Sequence, residues 1–196
     1  MREYLTPSEL KKIGFKKIGK NCKISKSLST YNLVGSLGDN VRIDDNVQLK
    51  GKIYIKSFAH IARGCTLSGG QNGIYIDEFS SLANYVQIFS SSDNYYSPSI
   101  PVGSLNDKLR VKFSKIYKKK ITIGKCCVIG SLSVLLPGTN IRDFASIGAL
   151  TIVFKEVKKG TFVQSKNKTI EKKRNIKLFE KIYKKIKKEI NENKKM

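Results

Sequence analysis

An aliphatic residue returns every six positions along most of this chain, and no other feature narrows the fold as far. Leu37, Ile43, Leu49, Ile55, Ile61 and Leu67 form one run; Ile76, Leu82 and Ile88 form a second. Ile123, Ile129, Leu135, Ile141, Ile147 and Val153 form a third, and Ile18 and Ile24 start the pattern. Four residues after each aliphatic comes a small or β-branched residue, as at Val41, Val47, Ala59, Cys65, Ser80, Val86, Cys127, Ala145 and Thr151. Gly, Asp or Ala often follows the aliphatic directly, as at Gly19, Gly38, Asp44, Ala62 and Gly124. A helix repeats at 3.6 and a strand at two, so neither yields a strict six. A triangular coil does. Each hexapeptide supplies one flat face and one corner, three faces make a coil of roughly 18 residues, and coils stack to bury what one rung cannot. Gly, Asp and Asn suit the corner backbone. The expected architecture is an all-β solenoid, a parallel β-helix.

Breaks in phase locate insertions. Ile24 to Leu37 is one residue longer than two repeats, and Leu67 to Ile76 is three longer than one, the excess lying in SGGQNG. The largest break separates Ile88 from Ile123, and its middle is polar, aromatic and irregular. A loop of that length on a regular solenoid usually carries function. Both ends read as helical. Thr6, Pro7 and Glu9 occupy the N-cap, first and third positions of a capping box, and Phe179, Ile182, Tyr183, Ile186 and Ile190 share one helical face. The expected division is a helical cap over 1–17, a β-helix over 18–165 with an inserted loop at about 90–120, and a basic helix over 166–196.

The bulk properties bound the rest. A chain of 196 residues suits one core with short appendages. No apolar run is long enough to span a bilayer, and MREYLTPSELKK is too charged for a signal peptide, so the cytoplasm is the expected compartment. Cys22, Cys65, Cys126 and Cys127 form no C-x-x-C pair, and one histidine completes no familiar zinc set. Buried free thiols and no metal are expected. The net charge is +23, of which 16 Lys or Arg against 5 Glu after Val153 supply +11. Such a balance suits nucleic acid, an anionic membrane or anionic small ligands.

The segments HIARGCTLSGGQNGIYIDEFSSLANYVQIFSSSDNYYSPS, IGKCCVIGSLSVLLPGTNIRDFASIGALTIV and GTFVQSKNKTI carry a resemblance. From about Ile18 to Ile170 the chain resembles the hexapeptide-repeat acyltransferases, whose fold is a left-handed parallel β-helix. It is most similar to the sugar acetyltransferases of bacterial surface polysaccharide (lipopolysaccharide or capsule) biosynthesis. The resemblance implies an acetyl-CoA co-substrate, a sugar or nucleotide-sugar acceptor with a hydroxyl or amine, and a homotrimer. The carbonic-anhydrase members of the fold need three metal-binding histidines, and this chain has one.

Site residues follow from the resemblance and the rungs together. His60 ends its hexad at a corner, and imidazole suits a general base at neutral pH. Asp93 opens the long loop, where many relatives carry a histidine, and is the expected partner that orients His60. Asn84, Ser92, Asn94 and Tyr95 are the expected acceptor contacts. Gly130, Ser131, Ser133, Gly148, Ala149 and Thr151 lie on successive rungs where a pantetheine arm would approach the backbone. Corners also require small residues, which accounts for Ser133 and Thr151 without a ligand. Lys155, Lys166, Lys168 and Arg174 fall near the closing loop, where the CoA phosphates need cations. Two other classes stay open on the residues alone: a non-catalytic β-helix scaffold, and a basic nucleic-acid-binding protein with Tyr95, Tyr96 and Tyr117 beside lysines. No RNA- or DNA-binding module is recognisable, so no nucleic-acid partner is expected. The basic tail makes a peripheral place on the inner membrane a further expectation.

Overall fold

Each hexad places its aliphatic side chain inward, and the backbone of each coil hydrogen-bonds to the next. A computed structural model describes residues 3–100 and 103–165 and, beyond them, Leu178, Lys181, Lys184, Lys185, Lys188, Glu189 and Glu192. The described coils form a left-handed parallel β-helix. Its second face is a seven-stranded sheet in which Ile24, Ile43, Ile61, Leu82, Ile129, Ile147 and Val163 align from coil to coil. The first six of these are at most 2% exposed. The first and third faces merge into a 10-stranded sheet, because Ser29–Leu37, Gln48–Ile55 and Thr66–Ile76 run on around the corner between them.

The phase breaks appear as shifts in register. Thr30 pairs with Leu49 and holds the aliphatic position that the sequence pattern leaves blank, and the extra residue lies in an irregularity between Tyr31 and Val34. The three extra residues near SGGQNG are taken up in two steps on either side of the Gly51–Gly70 pair. Gly51 and Gly70 both have positive φ there, and a Cβ on Gly51 would lie 2.6 Å from the Gly70 backbone. The capping box forms as expected: the Thr6 hydroxyl accepts from Glu9 N, and the Glu9 carboxylate accepts from Thr6 N, at the start of helix α1 (Pro7–Lys12).

Corners depart from expectation. Asn21, Asn40 and Asn46 take the left-handed conformation, as their residue type favours. Farther along the stack the same corner positions are held by Phe58, Phe79, Tyr85, Cys126, Leu132, Phe144 and Leu150. A left-handed backbone costs such residues about 1–2 kcal/mol each. The stacked coils fix the corner geometry, so the side chain there points out whatever its type. Phe58 and Phe79 stack on one another at 4.7 Å. Cys126 is accordingly exposed, against the expectation of burial; Cys65 and Cys127 are buried and Cys22 is partly so. Burial pushes the Cys65 thiol up to about 11.

A second compact unit comprises 92–117 and the described residues after 166. The insertion is more ordered than its composition suggests. Asn106 caps helix α2 (Asp107–Phe113) by accepting from Leu109 N at 3.0 Å. Leu109 and Phe113, one turn apart, bury together with Ile100 and Leu105 beside them. Lys112 forms an ion pair with Glu189. The expected apolar face of the C-terminal helix, with Phe179, Ile182, Tyr183, Ile186 and Ile190, lies outside the described residues. Among the described residues no helix is long and apolar enough to cross a membrane.

Leu67 is fully buried in the stack. Leu67→Ala should cost about 2–5 kcal/mol, read as a lower urea midpoint at an unchanged slope.

Candidate active site

Strand alternation turns His60 outward, because the next residue, Ile61, points into the core. His60 therefore joins the outer column of the second face, between Arg42 and Ser81. Its backbone N–H donates to Ser80 O at 3.0 Å. Asp44, just past the aliphatic of the coil before, is 8% exposed and hydrogen-bonds to His60 Nε2 through Oδ2 at 3.0 Å. Its other oxygen accepts from Arg42 Nε at 2.8 Å. Burial alone would raise the Asp44 carboxyl, but the hydrogen bonds from His60 and Arg42 and the Arg42 charge outweigh it and hold the group below its ordinary value. A carboxylate at Nε2 favours the tautomer with its hydrogen there and leaves the lone pair on Nδ1. No described residue engages Nδ1.

The carboxylate hydrogen-bonded to His60 in this structure is Asp44, whereas the sequence pointed to Asp93. The missed signal was coil arithmetic. One 18-residue coil below His60 stands Arg42, and Asp44 is the next residue on that strand's outer side.

Asp93 ends the short strand Ser91–Asp93. The neighbouring Asn94 makes the turn, accepting from Tyr96 N at 3.2 Å and Ser97 N at 3.1 Å. Ser92 Oγ donates to the Tyr95 hydroxyl at 3.0 Å, and Tyr95 is exposed. No described residue hydrogen-bonds to the Asp93 carboxylate. Asn84 sits exposed on a corner of the β-helix, its carbonyl accepting from Leu132 N at 3.1 Å.

On the terminal coils the expected CoA residues divide. Ser133 and Thr151 are buried, and their hydroxyls are committed: Ser133 Oγ donates to Gly148 O at 2.9 Å, and Thr151 Oγ1 accepts from Ser165 N at 3.1 Å. Both are corner residues whose side chains are turned inward, so only their backbone could meet a ligand. Gly130 is small because the next coil is close; a Cβ there would lie 2.4 Å from Ala149 N. Ser131 and Gly148 are partly exposed, and Ala149 and Lys155 are exposed. Lys166, Lys168 and Arg174 lie outside the described residues. No group of metal-binding side chains occurs among the described residues.

No protein-family model matches the chain. Over 154 residues, 76% of this chain and 78% of its relative, it is 34% identical to the dTDP-4-amino-4,6-dideoxy-D-glucose acyltransferase of Escherichia coli. The chain belongs to the hexapeptide-repeat acyltransferases. Solved members agree with this kinship. The N-acyltransferase AntD of Bacillus cereus, in complex with dTDP and 3-hydroxybutyryl-CoA, is 29% identical with a TM-score of 0.78, covering 97% of this chain and 100% of that one. A serine-to-alanine variant of AntD, in complex with dTDP-4-amino-4,6-dideoxyglucose and coenzyme A, is 30% identical with a TM-score of 0.76, covering 94% and 99%.

The Asp44 carboxyl makes stability depend on pH. Its folded value lies below the ordinary 3.8, so its stabilisation is complete above 3.8 and is lost as pH falls through the folded value. The stability gap between wild type and Asp44→Asn, measured by urea unfolding, should therefore be widest near neutrality and shrink below pH 3.8.

Proposed function

We propose that this acyltransferase moves an acetyl group from acetyl-CoA to the amino group of a dTDP-linked amino sugar destined for surface polysaccharide, in the cytoplasm, with His60 as general base. The observation that carries the reading is the His60–Asp44 hydrogen bond, an outward imidazole with a carboxylate at Nε2, on a chain of this kinship. The E. coli relative and AntD, whose ligands include an amino sugar on dTDP, support this choice of acceptor. The sugar amine attacks the thioester carbonyl, and His60 Nδ1 takes the proton that the nitrogen sheds. As the tetrahedral intermediate collapses, the C–S bond breaks and the imidazolium returns the proton to the departing thiolate. Asp44 stabilises the imidazolium between those two steps.

The exposed faces of Ser131, Gly148 and Ala149, with Lys155 nearby, are the proposed path of the pantetheine arm. Ala149→Trp should raise the Kd for acetyl-CoA strongly and leave the fold intact. An unchanged Kd would put the arm elsewhere.

His60→Ala should lower turnover by about 10²–10⁴ with CoA affinity unchanged, and Asp44→Asn should lower it less. The two losses should not add, since the residues act as one unit. Asp93 is the second candidate base, favoured by a carboxylate that no described residue holds. Near-full turnover in His60→Ala, with a large loss in Asp93→Asn, would transfer the role to Asp93.

A homotrimer is part of the proposal. Val128 and Phe162 on the second face are 53% and 62% exposed, and the corners beside that face carry Phe79, Phe144, Leu132 and Leu150, each more than half exposed. Large apolar side chains in a strained backbone repay their strain when another surface covers them. Light scattering should give three times the chain mass, and a monomer with full activity would refute it.

A further inference from the structure

The first face carries a groove of about 600 Å³ that the proposed proton transfer does not use. That volume suits a small-molecule ligand. The groove follows the outer column set by strand register, Tyr54, Tyr75, Thr122 and then Asn140. At one end Tyr54 and Tyr75 stack with centroids 5.0 Å apart and planes 10° from parallel, and Tyr75 is 40% exposed. In the middle the Thr122 hydroxyl donates to Asn140 Oδ1 at 2.6 Å. Two residues before Thr122 stands Lys120 and two after Asn140 stands Arg142, so the cations flank this strip from opposite sides.

The cations differ in how firmly they are held. Lys56, beside the tyrosines, is paired to Asp77 at 3.0 Å. Arg142 is paired to Glu156 at 3.0 Å, both side chains about half exposed. Solvated pairs of that kind are weak, and a phosphate competes well for the guanidinium. Lys120 is exposed and has no partner among the described residues. The other exposed aromatic stack, Phe58 on Phe79, sits at a corner and offers no hydroxyl. The tyrosine stack, by contrast, adjoins a polar strip flanked by cations.

An aromatic platform, then a hydroxyl and amide flanked by cations, match the base, sugar and phosphates of a nucleotide. Adjacent strands lie about 4.8 Å apart, so the Tyr75 rung and the Asn140–Arg142 rung stand about 10 Å apart. That is the reach of a nucleotide from its base to its second phosphate. We infer that this groove binds a nucleoside diphosphate, the base against Tyr75 and Tyr54 and the diphosphate at Lys120 and Arg142. The inference rests on the acyl-transfer reading above, in which both substrates, the dTDP-sugar and the CoA thioester, contain a nucleoside diphosphate.

Calorimetric titration of the full chain with dTDP, and separately with CoA, tests it. Lys120→Glu alters an unpaired surface residue and should keep the wild-type melting temperature; Tyr75→Ala removes the platform. Both variants should weaken one of the two ligands by about tenfold or more, the scale of a lost base stack or charged contact, and leave the other within about twofold. Loss of dTDP binding assigns the groove to the nucleotide sugar, and loss of CoA binding assigns it to the CoA diphosphate. Unchanged affinities in both variants, or a wild-type chain that binds neither ligand, would overturn the proposal. An acyl-transfer assay on the same samples separates the two readings. Variants that bind normally and transfer normally remove the groove and keep the function. A wild-type chain that binds through Tyr75 and Lys120 but transfers nothing keeps the groove and removes the function.

Discussion

The parallel hydrogen bonding between successive coils is the constraint on which everything else in the β-helix depends. A single rung buries its aliphatic residue only when another rung lies above or below it, and its N–H and C=O groups find partners only there. Ser25 N reaches Ile43 O, Asp44 N reaches Ile61 O and Gly130 N reaches Ile147 O, each about one coil away. This lateral bonding forces the hexad period, because a coil that gained or lost a residue within a face would swing its aliphatic out of the core. It also forces the corners. A residue there takes the left-handed backbone whether it is Asn40 or Phe144.

The period therefore made the inward half of the molecule legible. Leu37, Ile61, Ile88, Ile129 and Val153 are buried where the count of six places them, and so are Val41, Ala59, Cys127 and Ala145 four residues later. The outward half obeys no such rule. Asp44 reads as one more corner acid until the coils are stacked, when it falls against His60. Helix α2 was hidden because its apolar pair, Leu109 and Phe113, is too small to establish a period. Thr30 was missed because the pattern admitted only aliphatics, whereas register needs only a side chain in the right place. The bulky corners were missed because local backbone preference, which favours Asn and Gly, yields to the geometry of the stack.

The three faces also divide the chemistry. The second carries the imidazole and its carboxylate beside Arg42 and Ser81, with Val128 and Phe162 farther along, and the first carries tyrosines, amides and ion pairs. The buried hydroxyls belong to neither. Ser80, Ser133 and Thr139 donate to carbonyls of adjoining coils, Gly124 O, Gly148 O and Val153 O. The same residue types that would serve a ligand on an open surface here hold one coil to the next, so only exposure separates a binding serine from a structural one.

The corner between the third and first faces has a different freedom. At Ile88 the chain leaves the stack, and at Ile121 it returns in register, Leu135 lying beside Ile88 and Ile123 beside Ile76. The coils on either side pair as though nothing had intervened. Length is thus rigidly counted along the faces and uncounted at this vertex. A solenoid built this way can acquire a whole accessory module through one corner, while the spacing that aligns its outward columns stays untouched.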